Sequence, residues 1–158
     1  MSKEVITLTK DVSVVRRDRM RFTKNTLSST LCYLAILFNV FYFVEIYSTN
    51  SLFYYNMKMG FSVVYNLLFL LFTFLCSEGV KNYSKGYSIF VSVIGVMQFV
   101  RIVDIPTSAQ EAGIMNSKQF TLVCAYLIVS ALCCLAAGII GYMKHVTLEN
   151  YKKETGLA

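Results

Sequence analysis

Polar residues withdraw from four stretches of this chain: Leu27–Tyr47, Met59–Cys76, Tyr87–Val103 and Phe120–Tyr142. Each comes close to or exceeds the roughly 20 helical residues needed to cross a hydrocarbon core about 30 Å thick. Apolar side chains occupy all sides of these segments rather than one stripe, the pattern of a helix surrounded by lipid or by other helices. Inside a bilayer only helices and closed barrels satisfy their own backbone, and continuous runs of this length fit helices. The pattern therefore predicts an all-α fold, an integral membrane four-helix bundle over residues 27–143. A basic tail (1–26) precedes it and a short tail (144–158) follows.

Composition supports this class. Apolar residues make up 56% of the 158 positions and the mean hydropathy is +0.55, too high for a soluble domain of this length. The charged first tail, followed by a long aromatic-rich run with no small-residue cleavage site, reads as a retained span rather than a signal peptide.

Charge adds orientation. Lys3, Lys10, Arg16, Arg17, Arg19, Arg21 and Lys24 precede the first span, Lys81 and Lys85 lie between the second and third, and Lys144, Lys152 and Lys153 follow the fourth. The other two connections carry little beyond Lys58 and Lys118. Lysine and arginine stay on the cytoplasmic side, so both termini are expected in the cytoplasm of a cell whose plasma (inner) membrane holds the chain. The net charge of +6 is then topological. No basic surface remains to bind nucleic acid. Val12, Val14, Val15, Met20 and Phe22 interleave with Arg16, Arg17, Arg19 and Arg21, a mixture suited to lying on anionic membrane lipids or to docking a partner.

Small residues mark helix contacts. Ser130, Cys134 and Gly138 recur every four residues in the fourth span, with Gly141 after them, and Ser88, Ser92 and Gly95 form a shorter ribbon in the third. Such faces let backbones approach closely, which is how helices associate in lipid. Spans three and four are expected to pack through them.

Five polar residues interrupt the spans. Glu45, Arg101 and Asp104 fall at one depth near the outer ends of spans one and three, and Asn39 and Gln98 lie deeper. A charge at mid-membrane is costly, so Arg101 is expected to bridge Glu45 and Asp104 while Asn39 and Gln98 hydrogen-bond across the two helices. The cluster reads as a structural clasp or as a polar vestibule. Pro106 is expected to end the third helix just after Asp104.

Catalytic chemistry finds little footing. The single histidine, His145, sits beside Lys144 and four residues before Glu149, the setting of a solvated flank. Cys32, Cys76, Cys124, Cys133 and Cys134 form no CxxC pair and read as small packing residues. Phosphate-cradling, metal-protease and nucleophile-elbow motifs are missing, so no enzyme, metal or cofactor is expected. The expected role is an accessory or stabilising subunit of a larger membrane complex, partnered by another membrane protein. The alternative is a small homo-oligomeric transporter or channel using the charged outer cluster.

Overall fold

A computed structural model describes residues 24–48, 57–111, 113 and 115–154. These form four helices: α1 (Thr26–Ser48), α2 (Met57–Lys81), α3 (Lys85–Glu111) and α4 (Ser117–Glu154). Each is long and apolar enough to cross a membrane. Arg16, Arg17, Arg19 and Arg21, with the surface-helix expectation attached to them, lie outside the described residues.

The burial pattern is inverted relative to a soluble protein. Leu67, Leu71, Phe74, Val93, Val100 and Leu132 face outward and exposed, while Asn39, Asn66, Thr73, Ser77, Ser88, Gln98 and Ser130 are fully buried. On α1 the inward positions are Ser28, Cys32, Ala35, Asn39, Tyr42 and Ile46, spaced alternately by four and three, with Ser29 buried beside the first of them. Without a hydrophobic effect to sort them, small and hydrogen-bonding residues go to helix contacts and large aliphatic ones to the lipid side.

Neighbours in sequence are neighbours in space. The α3–α4 contact is the most extensive, α1 packs on both α4 and α2, and α2–α3 is thinner. Backbones of α1 and α3 do not approach, and α2 and α4 barely touch. The α3–α4 closeness comes from the small-residue ribbons. A Cβ at Gly138 would overlap the Ser92 hydroxyl and lie 2.7 Å from the Ser88 carbonyl, and one at Gly141 would lie 2.6 Å from Ser88 Oγ. The ribbon serines turn their hydroxyls back onto their own helix, Ser88 to the Ser84 carbonyl and Ser92 to the Ser88 carbonyl, so they add no unpaired donor to the contact. Ser130 instead crosses to α1 and donates to the Ala35 carbonyl at 2.9 Å.

One end of the bundle is tied by polar groups. The backbone N–H groups of Tyr83 and Ser84 fold back to the Val80 and Gly79 carbonyls and close α2 with Tyr83 left-handed at φ 60°. His145 of α4 sits 2.7 Å from the Tyr83 carbonyl through Nδ1, which therefore carries the proton. Asn25 donates its N–H to the Lys81 carbonyl, and its Oδ1 accepts from Lys144 at 2.9 Å. The start of α1, the end of α2 and the Lys144 level of α4 thus share one end.

Two boundaries depart from expectation. Helix α3 does not stop at Asp104 but continues through buried Pro106 to Glu111. Proline removes the donor that the Ile102 carbonyl would otherwise use, and Thr107 Oγ1 supplies a replacement at 3.2 Å. Helix α4 likewise runs unbroken past its apolar stretch to Glu154, a further twelve residues after Tyr142 or about 18 Å. Backbone hydrogen bonding continues where hydrophobicity ends, because Lys144, Glu149, Lys152 and Lys153 are all competent in helices.

Candidate functional site

The interior polar groups of α1, α2 and α3 converge on Arg101, which is only 6% exposed. Its Nη1 donates to Asn66 Oδ1 at 2.6 Å and its Nη2 to Ser62 Oγ at 3.0 Å. The rings of Tyr42 and Tyr65 lie 4.6 and 4.7 Å from the guanidinium carbon, within cation–π range.

The arginine dictates the orientation of the amides around it. A guanidinium only donates, so Asn66 must present oxygen to it. That oxygen also accepts from Asn39 Nδ2 at 3.3 Å, which leaves Asn39 Oδ1 to accept from Gln98 Nε2 at 3.1 Å. The result is a directed chain, Gln98 to Asn39 to Asn66, with Arg101 donating to the same Asn66 oxygen, and it joins three helices. Aligned donors of this kind polarise one another in a low-dielectric interior. Asn66 Nδ2 and Gln98 Oε1 have no hydrogen-bond partner among the described residues.

The expected bridge from Arg101 to Glu45 and Asp104 does not form. Among the described residues no carboxylate lies within ion-pair distance of Arg101; Glu78 pairs with Lys81 and Glu149 with Lys153, and His145 Nε2 lies 3.7 Å from Glu149. The reason is geometric. Helical side chains lean toward their own N-terminus, so Arg101 reaches back toward the level of Gln98 rather than forward to Asp104. Glu45 belongs to α1, whose backbone stays apart from α3, and it is half-buried. Asp104 is exposed. The structure thus brings Asn39, Gln98 and Arg101 together and leaves Glu45 and Asp104 outside their hydrogen bonds.

Ser62, Asn66, Tyr42 and Tyr65 complete the site and are not among the residues singled out from sequence. A signal for two of them exists: apart from Tyr65, Ser62, Asn66, Thr73 and Ser77 are the uncharged polar residues of α2, they fall on one helical face, and all four are buried. That face marks the inward side of a helix whose composition otherwise reads as lipid-facing throughout.

Beside Arg101 a cleft of about 410 Å³ opens between α2 and α3. Exposed Val64, Leu68, Met97 and Val100 wall it, so its mouth is on the outward surface, and Ser62, Arg101 and Asp104 supply its polar groups. The small-residue positions Ser88, Ser92, Gly95, Ser130, Cys134, Gly138 and Gly141 lie elsewhere, in the α3–α4 and α1–α4 contacts.

At the opposite end, Glu149 faces Lys153 at 3.3 Å and His145 at 3.7 Å. Its carboxyl is held below the usual range, first by the hydrogen bond to Lys153 and then by that residue's charge. Cys32, Cys76 and Cys134 are free and buried in one apolar cluster, and no group of metal-binding side chains assembles among the described residues. Comparison with protein-family models, with curated proteins and with solved structures gives no match.

Proposed function

We propose that this chain is a non-catalytic, multi-pass protein of the plasma membrane, with both termini in the cytoplasm, acting as an accessory subunit that stabilises a larger membrane complex. The observation that carries this reading is the polar network around Arg101. Its deep polar side chains bind one another and tie α1, α2 and α3 into a fixed unit, instead of lining a path across the bundle. The projecting end of α4, which carries Lys144, Glu149, Lys152 and Lys153 beyond the apolar run, supplies a charged helical surface for a partner.

The competing reading, a homo-oligomeric transporter or channel, draws on Asp104, which lines the outward cleft without an ion-pair partner among the described residues. Extraction of the tagged full chain from its own membrane into nanodiscs, followed by native mass measurement, separates the two. A stoichiometric second chain is expected. Masses that are only multiples of 17.9 kDa plus lipid overturn the subunit reading.

A further inference from the structure

The cleft beside Arg101 is graded along its length. Nearest the α2–α3 turn its walls are Leu68 and Met97, both apolar and exposed. One turn further along α3 comes Arg101, whose guanidinium meets Ser62 of α2. Beyond them, just past the apolar run that ends at Val103, is the exposed carboxylate of Asp104. At 1.5 Å per residue, Met97 and Arg101 are separated by about 6 Å along the axis, and Arg101 and Asp104 by about 4.5 Å. From the bilayer centre outward the polar groups come in the order cation, anion, set in a wall that stays apolar through Phe61 and Ile105, whichever side of the membrane this end occupies.

Arg101 is short of negative charge. Its hydrogen-bonding partners are neutral, and among the described residues no carboxylate lies within ion-pair distance of it. A buried cation gains from an anion far more than from another neutral acceptor. A purely anionic ligand would meet Arg101 but would also face Asp104. A molecule with an apolar chain, then a negative group, then a positive one answers all three levels.

We infer that the α2–α3 cleft binds a zwitterionic glycerophospholipid of the ethanolamine type from the surrounding leaflet. An acyl chain lies along Leu68 and Met97, the phosphate accepts from Arg101 and Ser62, and the ammonium group reaches Asp104. A volume of about 410 Å³ holds the headgroup and the upper part of one chain, and the remainder continues among bulk lipid. This site is independent of whether the chain is a subunit.

The full chain is reconstituted in nanodiscs containing equal amounts of phosphatidylethanolamine and phosphatidylglycerol, transferred gently to detergent, and its retained lipids are counted by native mass spectrometry. Wild type is expected to retain phosphatidylethanolamine over phosphatidylglycerol by about fivefold, the worth of one partly exposed ion pair. Asp104→Asn changes an exposed side chain and keeps the fold, so it carries the test. It is expected to abolish the preference, and Arg101→Met to lower retention of both lipids. Equal or reversed retention by wild type overturns the proposal, as does a preference that survives in Asp104→Asn. Cross-linking from a photoreactive residue at Val64 to an acidic segment of another protein, in place of lipid, also overturns it.

Discussion

If Arg101 organises the interior by donating to Asn66, the cost of losing Asn66 depends on whether the arginine is present. With Arg101 in place, Asn66→Leu removes the 2.6 Å acceptor of a buried cation and also the bond from Asn39. A hydrogen bond to a charged group contributes about 1.5–3 kcal/mol, and an interhelical one between neutral groups in a membrane about 0.6 kcal/mol, giving a loss of about 3 kcal/mol. In an Arg101→Met background only the second bond is lost, so the same change costs about 1 kcal/mol. Arg101→Met itself is mild: the Asn66 oxygen keeps Asn39 as donor, Ser62 turns to a carbonyl of the preceding turn, and the desolvation of a buried charge is relieved. The expected coupling is therefore about 2 kcal/mol. Reversible unfolding of the four cycle members in mixed micelles, followed by circular dichroism, measures it. A coupling under about 0.5 kcal/mol would refute the idea that the arginine and this amide act as a unit.

Three further expectations follow from the packing and the helix ends. Gly138→Ala forces α3 and α4 apart against the Ser88 backbone and should destabilise by about 1–3 kcal/mol, whereas Gly60→Ala, which meets nothing within 4 Å, should stabilise by up to about 1 kcal/mol in the same unfolding assay. Thr107→Val orphans the Ile102 carbonyl and should cost about 1 kcal/mol, but should be nearly silent beside Pro106→Ala, which restores the missing N–H; equal cost in both backgrounds would contradict the capping role. Because Lys153 lowers the Glu149 carboxyl in the folded chain, its contribution is present above the ordinary glutamate value and lost as pH falls through the lowered one. Glu149→Gln should then match wild type in helix content in acid and fall below it above that range, as judged by circular dichroism against pH; equal content throughout would contradict the pairing.

The helices were legible in the sequence because about 20 consecutive apolar residues have few other structural meanings, and the small-residue ribbons of the third and fourth spans do meet, at Gly138 and Gly141 against Ser88 and Ser92. Asn39 and Gln98 were legible for a similar reason, since a lone amide in an apolar run must find another one. The partner of Arg101 was not. Opposite charges in one depth band suggested Glu45 and Asp104, but partner choice depends on helix rotation and on the N-terminal lean of side chains, which spacing alone does not convey. The end of α3 was misjudged because Pro106 breaks a helix only when the freed carbonyl lacks another donor, and Thr107 is that donor. Asn66 stands alone as the amide of α2, and the face that it shares with Ser62, Thr73 and Ser77 is what turns it inward.

The central claim is that the polar interior holds helices together and does not conduct. Ion flux through the purified chain in sealed vesicles tests it most directly, with Asp104→Asn and Glu45→Gln measured alongside. Leak equal to that of protein-free vesicles for all three is the predicted result. A wild-type conductance that either substitution alters would contradict it and make the cluster around Arg101 and Asp104 the wall of a transport path.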